Sequence, residues 1–446
     1  PRCRVSPAPP RPPPRPPHPA FGGTCRFANR RSTGTIPRMF TRTAYKVPRP
    51  TLPVPPVPPV PPVFPHLVPA VIVAVSALVL GLVLAAPAAA EDLGPRYAEG
   101  FDLERVGNAT LVTVYPPGGA ADTVTAGQAR YLLVERGERV PEGYPEAKVM
   151  RTPVRSAVTL SSTYLPAFLE LGVAKRIVGH DRRSWVYSED IRTAMRKGDI
   201  AEVGSGGELD LEKVLALDPE VIFSYDAGTS AENPYPRLDD LDLPVVITSE
   251  FREHEPLGRS EWLLFFGAFF DLEEKAREIF SSIEERYLEL RRMAERAVDG
   301  SEERPTVFLN VPWGSSWAMP KGDNYSAVFL DHAQADYVFA DRSGTGTLHL
   351  DFETVLSEAG DADLWINTGQ WRSLEDGRRQ NRRFRLFEAF AEGRVYNNVA
   401  RVAEGGGNDY FESGYLYADR VLADLISIFY PEVLPDHDLY YYRQLK

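Results

Sequence analysis

The chain has 446 residues, 50 of them basic and 62 acidic, for a net charge of −12, and only two cysteines. Eleven of the basic residues, none of the acidic ones and both cysteines, Cys3 and Cys25, precede residue 91. The remainder carries 39 basic against 62 acidic groups, a net charge of −23; that surface argues against nucleic acid as a partner, and the lack of thiols rules out disulfides, Cys-ligated zinc and iron–sulfur clusters there.

Residues 1–66 read as a proline-rich leader, with PVPPVPPVPPV from Pro53 to Val63, a composition that favours extended polyproline and builds no core. The sequence opens on Pro rather than Met, so residues 1–38 read as an over-extended gene start, with Met39 the more natural first residue. Residues 67–90, LVPAVIVAVSALVLGLVLAAPAAA, follow Arg42, Lys46 and Arg49 and close on Ala88-Ala89-Ala90. That is the pattern of a cleavable secretory signal and predicts a periplasmic protein; the competing reading is an N-terminal membrane anchor, because about twenty apolar residues span a bilayer. No cysteine follows the segment, so no lipid attachment is expected on the mature chain.

Residues 91–150 read as a β-rich extension, in which ATLVTVYPP and ARYLLVERG flank the turn-rich GGAADTVTAG. Across residues 151–258 apolar runs such as SAVTL, RIVGH, EVIFSY and LPVVITS alternate with helix-like stretches, the signature of a parallel, doubly wound lobe. Residues 259–303 hold a long helical stretch, Glu261–Ala297, with little to interrupt it beyond Gly267 and Asp271. A rod of about 25 residues spans roughly 37 Å and would serve as a spine. Residues 304–446 repeat the alternation in TVFLNV, DYVFA, DLWIN and RVYNN, then end on the helix ADRVLADLISIFY, stopped by Pro431, and a tyrosine-rich tail. The expected fold is α/β: two doubly wound lobes with short parallel sheets joined by one long spine helix, plus the N-terminal β-rich extension.

One passage occurs twice, as GSGGELDLEKVLALDPEVIFSY from Gly204 and as SGTGTLHLDFETVLSEAGDADLWINT from Ser343. The shared order of loop, acid, helix, turn and strand, about 140 residues apart, predicts two similar lobes with a ligand in the cleft between them. Glu212 and Glu353 occupy matching places just inside the two helices, behind the expected N-caps Asp210 and Asp351. Helix-dipole preference accounts for either acid alone; the matched pair would also form two negative posts for a basic partner.

Ligand groups in such sheets gather at the carboxyl ends of strands. Those positions nominate Tyr164, Arg183, Trp185 and Tyr225 in the first lobe and Trp313, Trp317, Arg342 and Trp371 in the second. The tryptophans suit a large, partly apolar ligand, or else cap the core at the sheet edge; Arg182, Arg183, Arg342 and Arg372 suit an anion, or are plain surface arginines. No catalytic residue is nominated: the histidines lack zinc-site spacing, the Gly-rich loops lack a following Gly-Lys-Ser/Thr, and no GxSxG elbow occurs. No resident metal or cofactor is expected.

In GGELDLEKVLALDPEVIFSY, the spine EWLLFFGAFFDLEEKA, NVPWGSSWAMP, and GGGNDYFESGYLYADRVLADLISIFYPEVLPDHDLYYY, the chain resembles the solute-binding proteins of bacterial importers for vitamin B12, haem and iron–siderophore complexes, over about residues 152–440. The resemblance implies a monomeric, non-enzymatic clamp that holds an iron–siderophore, haem or corrinoid ligand and delivers it to an ABC permease with its ATPase. It further implies docking of Glu212 and Glu353 on permease arginines. The sequence departs from the family in its β-rich extension and its missing lipobox cysteine. Alternatives are a binding protein for a bare transition-metal ion, with His180, Asp226 and His349 as conceivable ligands, and a nitrogenase-like two-lobed enzyme.

Overall fold

The computed structural model describes residues 93–115, 128–205, 208–225, 238, 241, 243–298 and 303–446. The leader, the apolar segment 67–90, Asp226 and part of the first Gly-rich loop lie outside the described residues.

The first four strands, β1 (Phe101–Val106), β2 (Ala109–Val114), β3 (Ala129–Glu135) and β4 (Lys148–Thr152), form a sheet in chain order, antiparallel except for the parallel β3–β4 pair. Along β1 the buried Phe101 and Leu103 alternate with exposed Asp102 and Glu104, whereas all six residues of β2 are buried. Period-two alternation marks a one-sided strand; continuous burial marks one covered on both faces.

The next sheet is built from β5 (Ala157–Thr159), β6 (Ile177–His180), β7 (Ala201–Glu202), β10 (Val221–Tyr225) and β11 (Val245–Thr248), all parallel, in the order β11-β10-β5-β6-β7. Between them lie α1 (Leu165–Glu170), α2 (Glu189–Lys197), the small hairpin β8 (Gly204–Ser205) with β9 (Glu208–Leu209), and α3 (Leu211–Leu217). The edge strand β11 is covered rather than open: its Ile247 N–H donates to the Tyr131 hydroxyl of β3 at 2.8 Å. That contact ties the N-terminal sheet to the first lobe and blunts an edge.

The long helical stretch is two helices, α4 (Pro256–Phe269) and α5 (Glu273–Ala297, 25 residues). The break falls at Asp271, whose φ of 55° lies in the left-handed region. Gly267 lets the two helices fold against each other, since a Cβ there would sit 2.7 Å from the Cβ of Ala276. Helix α4 is buried nearly all round, so it is a core element, and α5 keeps one apolar face.

The second lobe comprises β12 (Thr306–Leu309), β13 (Trp317–Pro320), α6 (Tyr325–His332), β14 (Asp336–Tyr337), β15 (Thr347–Leu350), α7 (Phe352–Ala359), β16 (Leu364–Ile366), α8 (Leu374–Gln380), α9 (Glu388–Ala391), β17 (Val395–Asn397), α10 (Asp409–Glu412), α11 (Ala418–Phe429) and β18 (Arg443–Gln444). Its sheet runs β14-β12-β16-β17-β18, parallel but for the last pair, while β13 and β15 form a separate antiparallel ribbon. The two copies of the repeated passage share a capped helix followed by a sheet strand: Asp210 and Asp351 each cap a helix, accepting from the N–H of Lys213 and Thr354.

Between the N-terminal sheet and the spine, an irregular segment from Arg96 to Gly100 needs acceptors for its N–H groups. Glu261, 1% exposed, takes those of Arg96, Tyr97 and Ala98 at 2.6–2.9 Å. Glu253 takes those of Glu99 and Gly100 together with the Trp262 indole N–H, and Glu284 holds the Tyr97 hydroxyl and the Arg96 guanidinium. Replacing Glu253 by Ala strips three buried or part-buried donors of their partner, so a loss of about 3 kcal/mol is expected in denaturant-induced unfolding. A loss under about 0.5 kcal/mol would show that the clasp contributes little.

Candidate functional site

Three adjacent parallel strands of the second lobe, β12, β16 and β17, run into asparagines: Asn310 and Asn367 directly follow the first two, and Asn398 the third. Asn310 and Asn367 have φ of 63° and 59°, a conformation that asparagine tolerates better than most residues. With Asn324, Tyr325, Ser326, Tyr410, Phe411 and Tyr415 they line a cavity of about 260 Å³. Among the described residues no carboxylate lines it.

Among the described residues the one charged group in the lining is Arg259, from the first turn of α4. Its Nε and Nη2 donate to the carbonyls of Glu253 and Phe251, both at 3.0 Å. Its guanidinium lies 3.4 Å from the centre of the Tyr325 ring and 4.7 Å from that of Tyr415. Among the described residues it forms no ion pair. Arg259 is therefore a fixed cation, held by carbonyls and tyrosine faces, with charge left for an anion. Burial raises the Tyr325 and Tyr410 hydroxyl pKa values above the usual phenol range, so both stay neutral hydrogen-bonding groups. The Asn367 Oδ1 in the same wall is buried without a partner.

The nominated residues distribute differently. Tyr164 is wholly buried, its hydroxyl 2.8 Å from that of Thr248. Trp317, also wholly buried, donates to the Leu309 carbonyl, and Trp371 is buried with its N–H on Gln380. Both tryptophans belong to an aromatic core with Phe308, Trp365, Phe384 and Phe387, so these three side chains cap cores rather than face a cleft. Arg342 pairs with Asp341 and Glu358 on the surface. Tyr225 is half-buried and meets the Phe251 ring edge-on at 6.4 Å. Trp185 is 49% exposed, with Arg182 3.5 Å over its ring; Arg183 is exposed beside it. Trp313 is 91% exposed. His180 is buried against Thr159 and His349 is exposed near Ser316. Among the described residues no group of three or more His, Cys, Asp or Glu is placed to hold a metal ion.

Glu212 is exposed on α3. Glu353 is exposed as well, but both its oxygens accept from Arg383 Nη2, at 2.8 and 2.9 Å, and the Arg383 guanidinium lies 4.2 Å from the centre of the adjacent Phe352 ring. The two posts are matched in sequence and unequally paired: among the described residues only Glu353 of the two forms an ion pair.

The lobes touch beside the cavity. Glu412 of α10, 2% exposed, accepts the N–H groups of Tyr187 and Ser188 from the first lobe at 2.6 and 2.9 Å. Gly407 passes so close that a Cβ there would lie 2.3 Å from the Val186 carbonyl oxygen. Sequence reasoning missed Arg259, which sits within a helical run, and the asparagines, which read as turn residues; their recurrence after three strands was the available signal.

A match to the periplasmic binding protein family model extends over residues 158–400, more than half of the sequence. The chain belongs to the periplasmic binding protein family. It is 28% identical over 329 residues to an uncharacterized lipoprotein of Methanocaldococcus jannaschii, covering 70% of this chain and 75% of that one. Among solved structures it is similar to the molybdate periplasmic binding protein MolA of a Haemophilus influenzae ABC transporter (18% identity, 64% and 89% of the two chains, TM-score 0.49). It is also similar to a periplasmic haem-binding protein from Pseudomonas aeruginosa (18% identity, 62% and 93%, TM-score 0.47). No helix among the described residues is long and apolar enough to cross a membrane.

Burial pushes the Glu412 carboxyl from 4.5 up to about 7, against the pull of its two N–H donors. The folded chain thus holds a proton that the unfolded chain releases near pH 4.5, so this stabilisation is complete below pH 4.5 and lost as pH rises through 7. Between those limits the wild type should lose about 3 kcal/mol relative to Glu412→Gln, which does not titrate. Parallel pH–stability curves for the two proteins would refute the assignment.

Proposed function

We propose that the chain is the exported solute-binding component of an ABC importer, working as a monomer. It captures an iron–siderophore complex, haem or a corrinoid between its lobes and delivers it to a permease with its ATPase. Family membership supports the binding role. The observation that carries the choice of ligand is Arg259: one fixed cation that forms no ion pair among the described residues, at a strand-end cavity lined by neutral tyrosine, serine and asparagine groups.

On a chain whose residues beyond 90 carry a net charge of −23, an anion is held by local charge, and Arg259 supplies it. A cavity of about 260 Å³ is small for a whole chelate, since sites for drug-sized ligands run to roughly 300–1,000 Å³. The anionic face would sit on Arg259 and the three asparagines, and the apolar remainder would lie against Phe411, 53% exposed at the cavity wall. Trp185, Arg183 and Trp313 are the exposed candidates for its outer contacts.

Ferric hydroxamate, ferric catecholate, haem and cobalamin, each in excess, form the test panel for thermal unfolding. One of them should raise the transition by a few degrees, because a ligand at a hundred times its Kd adds about 2.7 kcal/mol. Arg259→Ala should abolish that rise. A panel without any shift would overturn the chelate reading.

Docking on permease arginines is assigned to Glu212 and Glu353. Reversing both to Arg should stop uptake and leave ligand affinity within about twofold, because the charges meet a basic partner across an interface. A collapse of affinity would place the acids in the ligand site.

A further inference from the structure

The second lobe carries a concentration of positive charge unlike the acidic balance of residues 91–446 as a whole. Arg378, Arg379, Arg382, Arg383 and Arg385 fall within eight residues without an acid among them, and all five are exposed. The segment runs from the end of α8 into a 3₁₀ turn, Arg382–Leu386. In a 3₁₀ turn residues three apart share a ridge. Arg382 and Arg385 therefore form one ridge, Arg383 and Leu386 a second, and Phe384 alone turns inward, fully buried.

The surrounding acids offset three of the five arginines and leave two. Arg383 is taken by Glu353; Arg378 and Arg379 share Glu375, with Asp376 at 4.0 Å from Arg379; Glu388 and Glu392 are paired with Arg394. Arg382 and Arg385 have no ion-pair partner among the described residues. Beside them Leu386 is 51% exposed.

We propose that Arg378–Leu386 is a membrane-contacting surface that receives anionic lipid headgroups. Guanidinium groups bind phosphate oxygens in pairs, and an apolar side chain set among them can enter the boundary between headgroups and acyl chains. A carboxylate-bearing protein would need one acid opposite each arginine, whereas a headgroup layer presents phosphate wherever the arginines fall. The acidic bulk of the molecule does not forbid the contact, because at physiological salt charges more than about 8 Å away are largely screened. The patch would set the face that the second lobe, with Glu353 beside it, turns to the bilayer.

The test is flotation of the full chain with vesicles of phosphatidylcholine alone and of phosphatidylcholine with about 30% phosphatidylglycerol, at low and physiological salt. Because residues 67–90 are common to every variant, the increment from neutral to anionic vesicles reports the patch. The wild type should gain binding on anionic vesicles, and Arg382→Gln with Arg385→Gln, which removes roughly 1 kcal/mol of surface attraction per arginine, should lower that increment about thirtyfold. The charge-reversed pair Arg382→Glu with Arg385→Glu should lower it further. Wild-type indifference to anionic lipid at low salt, or an increment unchanged in the variants, would overturn the proposal. So would vesicle indifference combined with loss of cellular uptake in the charge-reversed variant, which would assign the arginines to an acidic protein surface.

Discussion

The structure depends throughout on one device, a buried carboxylate set against a run of backbone N–H groups that no helix or sheet satisfies. An unpaired N–H in a protein interior costs as much as a lost hydrogen bond, so irregular backbone can be buried only where acceptors are supplied. A carboxylate offers about four lone-pair sites and can take several donors at once. Glu261 and Glu253 do this for Arg96–Gly100. Asp424, fully buried, does it for Tyr440, Tyr441 and Tyr442 near the C terminus, and Glu412 does it across the lobes for Tyr187 and Ser188. Each clasp fixes a segment that local propensity would leave loose.

These clasps decide where the site can be. Glu253 receives three N–H groups through its side chain while its own carbonyl receives Arg259, so the segment that anchors the N-terminal sheet also positions the cation of the cavity. Tyr325 and Tyr415, from the second lobe, meet the same guanidinium. Arg259 thus stands where the spine, the first lobe's turn at Glu250–Arg252 and the second lobe converge. A ligand bound there would meet groups from both lobes.

Much of the scaffold was legible because it follows from local rules. The two Asp-capped helices, the alternation of short apolar runs with helices, and the stop at Pro431 all rest on capping, periodicity and proline chemistry, which act within a few residues. What depends on tertiary partners was not legible. Trp317 and Trp371 follow apolar runs and read as cleft residues, yet each finds a hydrogen-bond acceptor and a set of aromatic neighbours inside the second lobe. Tyr164 likewise meets Thr248, 84 positions away. Asp271 was one of two interruptions visible in the sequence, but the stretch still read as one helix because a single left-handed residue in an otherwise helical run is stabilised by the packing of the two helices through Gly267 and Ala276, which sequence period does not report.

The repeat invites a symmetric picture of the molecule, and the side chains break it. Glu212 and Glu353 share a capping aspartate and a helix position, since the same backbone geometry produced both. Glu353 faces Arg383, which comes from the arginine-rich turn of the second lobe whose Phe384 packs into its core. Backbone symmetry therefore fixes where the two acids stand, while the turn after α8 sets the charge beside Glu353. A partner that reads both lobes meets on one a carboxylate with no ion pair among the described residues and on the other a carboxylate paired with Arg383 and edged with guanidinium groups, so the lobes are distinguishable by charge even though their folds repeat.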